Sequence, residues 1–252
     1  MTQELFYRTL SGRFFDAVRE AGLADEELCV STKALTAKEA IGETKRKDFP
    51  ILTGKDVMVQ AACRGSLGQA FTDAPAVWSG TFRDLENLDL VGDPHARGIF
   101  IAALNAVMAH LGRADGTVHC KNEGPERCSV MVEEYIKTHY GSPRIALVGY
   151  QPAMLERLAS FQVRVLDLNP DNVGKVKNGV TVEHGERDFE SAVLQWADLV
   201  LVTGSTVCNG TIVNFLDIKK EVLFYGTSIA GAAPLMGLKR LCFADCVSIE
   251  QA

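Results

Sequence analysis

The chain has 252 residues, enough for two small domains that each bury a hydrophobic core. Apolar residues make up 47% and charged residues 23%, which is typical of a globular protein and excludes a disordered or fibrous one. The formal charge of −6 is spread evenly, and the densest basic run, Lys45 to Lys47, lies between Glu43 and Asp48. Because nucleic-acid binding depends on clustered Lys and Arg, the composition predicts no nucleic-acid partner.

The sequence also argues against a membrane protein and against a disulfide framework. No apolar run reaches the length of about 18 residues that a transmembrane helix needs, and we expect no secretion signal at the N-terminus. The cysteines are odd in number and include no C-x-x-C pair; they occupy positions 29, 63, 120, 128, 208, 242 and 246. Scattered thiols of this kind are typical of a reduced, cytoplasmic protein.

The first 112 residues predict a small α+β module. Apolar residues at helical spacing predict one helix over residues 5–23 and another over residues 94–112. Three extended apolar runs between them, at 28–30, 57–59 and 68–72, predict an antiparallel meander. We expect the second helix to cover this meander.

Residues 113–141 are predicted to connect this module to the rest of the chain, through a polar stretch and a short helix over residues 129–139. The polar stretch holds the best candidate metal ligands of the chain, His119, Cys120 and Cys128, because imidazole and thiolates bind zinc and other soft transition metals. Three ligands at irregular spacing form a weaker pattern than paired C-x-x-C motifs. A polar loop with incidental thiols is therefore the alternative.

The positions of the cysteines, and the charged residues beside two of them, give three further expectations. Lys121 and Arg127 would favour the thiolate forms of the neighbouring cysteines. Cys208, at a predicted helix start, is a candidate nucleophile for which no basic partner is identifiable. Cys242 and Cys246 are too far apart in an extended strand to share an ion, so we expect them to be core residues.

Residues 142–252 predict a Rossmann-like α/β domain with a parallel sheet. Short, nearly continuous apolar runs alternate with helical stretches, and this alternation is typical of parallel strands that are covered on both faces. The predicted strands cover residues 144–149, 163–168, 198–203, 221–226 and 239–243.

Polar residues and glycines are concentrated where these strands end, which is where open parallel sheets bind their ligands. Glycines admit close approach of a ligand, and hydroxyl groups with helix N–H donors suit a phosphate or carboxylate. The alternative is that these polar residues only cap the following helix. The candidate ligand-binding residues are Gly149, Tyr150, Asp167, Asn169, Thr203, Gly204, Ser205, Thr206, Asn209, Thr211, Gly226 and Thr227.

Asp167 leaves a second class of function open. It lies 18 residues after Gly149, close to the spacing of about 20 that a ribose-binding acid has in a dinucleotide fold. The turn after Gly149 reads Tyr-Gln-Pro and lacks the pattern G-x-G-x-x-G, which disfavours ordinary NAD binding. An enzyme using another nucleotide-type cofactor, such as S-adenosylmethionine, is the alternative to a binding protein. We expect Asp167 to affect ligand binding more than stability; a purely structural role is the other possibility.

Residues 198–234 carry two motifs, Thr-Gly-Ser-Thr-Val-Cys-Asn-Gly-Thr and Tyr-Gly-Thr-Ser-Ile-Ala-Gly-Ala-Ala-Pro, each at a strand end. With Gly149, Tyr150 and Pro152 they resemble a prokaryotic family described as putative heavy-metal chelation. The N-terminal part, including Asn105 and Ala106, is similar to the module that accompanies this family's domain. The resemblance implies an enolase N-terminal-like module, a Rossmann-like domain, a cleft between them, and metal chelation. It assigns no metal ligands.

The sequence thus predicts a protein that binds a small anionic or metal-containing ligand in the interdomain cleft, with a soft transition metal as the expected cofactor. Whether it catalyses a reaction and whether it forms a homo-oligomer are left open.

Overall fold

The computed structural model describes residues 1–31, 35–53 and 57–243, which form two β-sheets with helices packed on them. One sheet has four antiparallel strands, and the other has seven strands, of which six run parallel. This confirms the predicted class, an α+β module followed by a Rossmann-like α/β domain; the boundaries at residues 112 and 142 stay a prediction. No helix in these ranges is long and apolar enough to cross a membrane.

The N-terminal part contains the predicted meander between two long helices. Its four-stranded sheet has the order β3-β2-β1-β4, in which β4 is an edge strand of only four residues that the apolar pattern did not predict. In chain order the elements are α1 (Gln3–Glu20), β1 (Glu27–Ser31), α2 (Ala37–Ile41), β2 (Val57–Cys63), β3 (Ser66–Thr72), β4 (Trp78–Thr81), α3 (Phe82–Leu85) and α4 (Pro94–His110).

The C-terminal part follows the order of a Rossmann-like domain. A π-helical segment (Glu190–Trp196) and a 3-10 segment (Thr211–Phe215) stand where longer crossover helices were expected. The other elements are α5 (Gly124–Tyr140), β5 (Arg144–Val148), α6 (Pro152–Arg157), β6 (Gln162–Asp167), β7 (Val176–Lys177), β8 (Val180–His184), β9 (Leu199–Thr203), α7 (Thr206–Asn209), β10 (Glu221–Tyr225), α8 (Ala232–Met236) and β11 (Arg240–Leu241).

The order of the seven strands, β11-β10-β9-β5-β6-β8-β7, defines the place of the ligand crevice. The chain starts in the middle at β5, moves outward through β6 and β8, and then returns to β9 on the other side of β5. A loop that leaves β5 therefore diverges from the loop that leaves β9, and this reversal opens a crevice at the carboxyl ends of the two strands.

Two parts of the domain differ from the sequence-based expectation. The strands β7 and β8 form a hairpin whose turn, Asn178-Gly179, has both residues at positive φ, as a type I′ turn requires. The Asn-Gly dipeptide is a common sequence signal for such a hairpin, and it could have predicted β7 and β8. In addition, α5 begins at Gly124 and not near residue 129, so the stretch between Cys120 and Cys128 is partly helical.

The central element of the molecule is α4. All its residues from 96 to 108 are buried, whereas a helix that covers a single sheet would bury one stripe. One side of α4 packs on β3 and β2, and another side packs on α7 and α8 of the C-terminal part. Gly68 of β3 allows the closest approach, because a Cβ atom there would lie 2.1 Å from the backbone nitrogen of Ala106.

Two buried polar side chains of this region join the two parts. Asn105 on α4 is fully buried, and its Nδ2 donates to Gln69 O at 2.8 Å and to Thr227 O and Ser228 O at 3.2 Å. Its Oδ1 accepts from Gly231 N at 2.7 Å. Arg97 makes a second connection, since its Nε donates to the carbonyl oxygen of Cys208 at 2.7 Å.

We predict that Asn105→Ala lowers the free energy of unfolding by at least about 3 kcal/mol, because it leaves several buried backbone groups without a partner at about 1–3 kcal/mol each. Denaturant unfolding of the variant and the wild type measures the difference. Asn87→Ala is the control, since Asn87 is exposed and should change stability by less than about 0.5 kcal/mol. A loss for Asn105→Ala as small as the control's would contradict this role.

Candidate functional site

The crevice predicted by the strand order lies between Gly149, after β5, and Thr203, at the end of β9. Gly149 has a φ of +87°, and a Cβ atom there would lie 2.6 Å from Cγ2 of Thr203. Only glycine therefore permits this approach without strain. The Tyr225 hydroxyl holds the turn, with its Oη 3.0 Å from the carbonyl oxygen of Val148 and 2.9 Å from that of Gly149. Burial raises the pKa of Tyr225, so it remains a neutral donor.

Two adjoining cavities open at this crevice. The first, of about 230 Å³, lies between the strand ends and the N-terminal part, and we call it the thiol cavity because His119, Cys120 and Cys128 line it. The second, of about 360 Å³, is the carboxylate cavity, lined among others by Asp73, Asp167 and Glu186. The residues that line both are Phe71, Gly149, Asp167, Asn169, Thr203 and Ser205.

Every residue that the sequence analysis named as a site candidate lines one of these cavities. Beside the three candidate metal ligands, the thiol cavity has the strand-end residues Gly149, Tyr150, Asp167, Asn169, Thr203, Gly204, Ser205, Gly226 and Thr227 in its wall. Thr206, Asn209 and Thr211 line the carboxylate cavity alone. The strand-end candidates are therefore divided between two neighbouring spaces.

Asp167 is bonded to the chain on both of its carboxylate oxygens. Its Oδ2 accepts from Tyr150 N at 2.9 Å and from Asn172 Nδ2 at 3.2 Å, and its Oδ1 accepts from Asn169 N at 2.7 Å. These bonds join the loop after β5 to the loop after β6. Asp167 thus has a structural role in the crevice, while its predicted contact with a ligand stays a prediction.

The turn over residues 203–211 uses most of its donors internally. The hydroxyl of Thr206 donates to the carbonyl oxygen of Thr203, and the hydroxyl of Thr211 donates to Asn209 Oδ1. The backbone N–H groups of residues 204, 207, 208, 209 and 211 also have partners within the protein. Because α7 has only four residues, it adds no strong helix dipole. The hydroxyls of Thr203 and Ser205 bond to each other at 3.1 Å, and Thr203 Oγ1 also accepts from Ser205 N, so few groups of this turn remain for a ligand.

His119 is held in the form that binds metals. Its backbone N–H donates to Gln69 Oε1 at 2.8 Å, and its Nδ1 lies 2.7 Å from the carbonyl oxygen of Cys120. Because a carbonyl can only accept, Nδ1 carries the proton and Nε2 keeps its lone pair. Burial lowers the pKa of His119, so the ring is neutral at pH 7.

The thiols of Cys120 and Cys128 are protonated in the metal-free protein. Burial, followed by the neighbouring thiols of Cys128 and Cys242, raises the pKa of Cys120 to about 12. Burial also raises the pKa of Cys128, although the charge of Arg240 acts in the opposite direction. The expectation that Lys121 and Arg127 favour the thiolates is therefore wrong, because burial dominates.

Two other cysteines differ from expectation. Cys242 is half-buried and lines the thiol cavity, so its assignment to the core is wrong; Cys246 lies outside the described residues. Burial raises the pKa of Cys208 to about 12, which removes its candidacy as a nucleophile. Sequence spacing gave no sign that Cys242 would approach Cys120 and Cys128.

Within residues 1–31, 35–53 and 57–243, no three His, Cys, Asp or Glu side chains stand in a geometry that could already hold a metal ion. The three candidate ligands share a cavity wall, but their assignment as metal ligands stays a prediction.

Fold and crevice together define a Rossmann-like protein with a cavity at the point where its strand order reverses. Residues 135–236 match the model of the DUF364 family, described as "Putative heavy-metal chelation", which confirms the family resemblance of the sequence motifs. No curated protein matches the chain.

Two solved structures of this family are similar to the chain, and both are described as proteins of unknown function. The one from Pyrococcus horikoshii is 18% identical, with a TM-score of 0.53 over 87% of this chain and 79% of that chain. The one from Desulfitobacterium hafniense DCB-2 is 14% identical, with a TM-score of 0.50 over 71% of this chain and 72% of that chain. At these identities the likeness shows the fold.

The sequence-based expectation that Asp167 matters little to stability is untested, and its hydrogen bonds lead to the opposite prediction. We predict that Asp167→Asn lowers the free energy of unfolding without ligand by about 1–3 kcal/mol, because an amide NH₂ would face a backbone N–H donor. Urea unfolding measures the loss. Glu186→Gln, an exposed change in the carboxylate cavity, should stay within about 0.5 kcal/mol of the wild type. An Asp167→Asn protein as stable as that control would show that these bonds contribute little.

Proposed function

We propose that the protein binds a soft metal ion, free or carried by a small molecule, in the thiol cavity. The observation that carries the proposal is the wall of this cavity, where cysteine thiols and a neutral histidine lie beside the polar strand ends. Thiolate and imidazole are the ligands that soft and borderline transition metals prefer. The family description of heavy-metal chelation supports the same class of ligand.

The charge around the crevice favours a cation over an anion. Neither cavity is lined by a Lys or Arg among the described residues, whereas Asp73, Asp167 and Glu186 line the carboxylate cavity. In the carboxylate cavity a phosphate or carboxylate would therefore lack a cationic partner in the wall and would meet like charge. An anionic group on the ligand is then best accommodated when it accompanies its own metal ion.

The polar strand ends give the second half of the proposed site. Thr203 and Ser205, whose hydroxyls bond to each other at 3.1 Å, line both cavities, as does Asn169. These groups are suited to hydrogen bonds with a small molecule that carries the metal. The alternative of a nucleotide-type cofactor rests on Asp167 alone, and both oxygens of that carboxylate are already bonded to the chain.

We predict that replacing Cys120 and Cys128 together by serine abolishes binding of cobalt(II), because a serine hydroxyl does not replace a thiolate as a ligand for such an ion. Reduced, metal-free protein is dialysed against the ion without oxygen, and bound metal is measured by elemental analysis and by thiolate-to-cobalt absorption. Cys63→Ala is the control, since Cys63 is buried on β2 and lines neither cavity. Equal metal content in the double variant and the wild type would refute the site.

We also predict that metal affinity rises with pH across the neutral range. The pKa of Cys120 is raised to about 12 and that of Cys128 is raised too, so each coordinated thiol must release a proton and adds about a tenfold gain in affinity per pH unit. His119 is neutral in this range because burial lowers its pKa, so it adds nothing to the change of metal affinity with pH. Competition with a chelator of known pH dependence measures the slope. An affinity independent of pH would contradict thiolate ligation.

A further inference from the structure

We propose that Cys242 is the third thiol ligand of this site, so that the side chains of Cys120, Cys128 and Cys242 turn toward one another when a metal ion binds and hold it as three thiolates. Among the described residues no three such side chains already stand in that geometry. The inference rests on the metal-binding function proposed above. It goes further because it names a third ligand that is distant in the sequence and assigns three thiolates to the ion. Cys242 lies 114 residues after Cys128 in the sequence.

Three separate elements bring the thiols to one wall. Cys120 follows a segment that hydrogen-bonds to β3, where Gln69 N donates to Thr117 O at 2.8 Å. Cys128 lies one turn into α5, and Cys242 directly follows β11. Phe243, the residue next to Cys242, packs against the same hydrophobic cluster as Cys128. The segment that carries Cys242 therefore lies beside the second thiol.

Two glycines make room for these thiols. A Cβ atom on Gly116 would lie 2.5 Å from the sulfur of Cys242, and a Cβ atom on Gly124 would lie 2.9 Å from Cβ of Cys120. A larger residue at either position would occupy space that the cysteine side chains now fill. The loop around Gly116 is fixed as well, because Arg240 donates to the carbonyl oxygens of Asp115 and Gly116 at 3.0 and 2.9 Å.

The positive charge of Arg240 is opposite to the net charge of the proposed metal–thiolate group. Binding of a divalent ion to three thiols releases three protons and leaves a metal–thiolate group with a net charge of −1, which is costly to bury alone. The Arg240 side chain is only 8% exposed and close enough to act on the charge of Cys128. Its guanidinium would therefore offset the charge of the loaded site.

Cadmium(II) titration of reduced, metal-free full-length protein tests the assignment. The wild type should bind one ion, with three protons released and an intense thiolate-to-cadmium absorption. Cys242→Ala should lose about a third of this absorption and one of the released protons. Its affinity should fall at least about tenfold, since removal of even an outer-shell partner costs 10–100-fold. Cys63→Ala is the matched control and should behave as the wild type. Cys242→Ser, which keeps the size of the side chain, replaces the alanine variant if that variant fails to fold by circular dichroism.

The possible failures are distinguishable. If Cys242→Ala or Cys242→Ser keeps the absorption, the proton release and the affinity of the wild type, Cys242 is not a ligand, although the metal site itself stands. If the wild type takes up no cadmium, the proposed function fails together with this inference. If Cys63→Ala loses absorption as Cys242→Ala does, the cadmium binds thiols without selection and no three-thiol site exists.

Discussion

The buried amide of Asn105 is the interaction on which the arrangement of the crevice depends. It donates to Gln69 O of the first sheet and to Thr227 O and Ser228 O of the loop after β10, and it accepts from Gly231 N. A side chain without polar atoms could fill the same volume but would leave these groups unpaired in an apolar interior. Asn105 is therefore satisfied only when both sheets are in place, and it adds a specific polar link to the packing of α4.

The same interaction extends to the thiol cavity through Gln69. While its carbonyl oxygen accepts from Asn105, its side-chain Oε1 accepts from His119 N and its backbone N–H donates to Thr117 O. His119, Thr227 and Ser228 all line the cavity, and His119 is thus connected to the other two through two buried amides. The geometry of the candidate site follows from the packing of α4, and not from the local sequence around the cysteines.

Much of the fold was predictable because buried strands and amphipathic helices leave regular apolar patterns. All five strands predicted for the second sheet are present, and their polar ends meet at one crevice, as parallel topology requires. The pattern failed where elements are short: β4 and β7 have four and two residues, and the helical segment after β9 is a single turn. Short segments carry too few residues for a periodicity to emerge.

The candidate site was predictable only in part, because sequence spacing does not show which distant residues the fold brings together. Sequence spacing could group His119, Cys120 and Cys128, which are near one another along the chain, but Cys242 reaches them through β11 pairing with β10. The turn at residues 203–211 shows a second limit, and its role as a ligand cradle stays a prediction. Its many hydroxyl and amide groups indicated a ligand cradle, yet in the folded chain most of them bond to one another. Composition reveals which groups can donate; only the fold reveals which remain unused.

The edges of the seven-stranded sheet have a consequence for self-association. Within the described residues, both edge strands, β7 and β11, are two residues long, and the β7 edge is flanked by Lys175 and carries Lys177. Short edges with lysines are a common protection against the addition of a strand from another molecule, because few free backbone groups are offered and each approach brings positive charges together. Copies of this chain are therefore not expected to join through the edges of the seven-stranded sheet, and a crowded solution should not convert this sheet into a template for fibres.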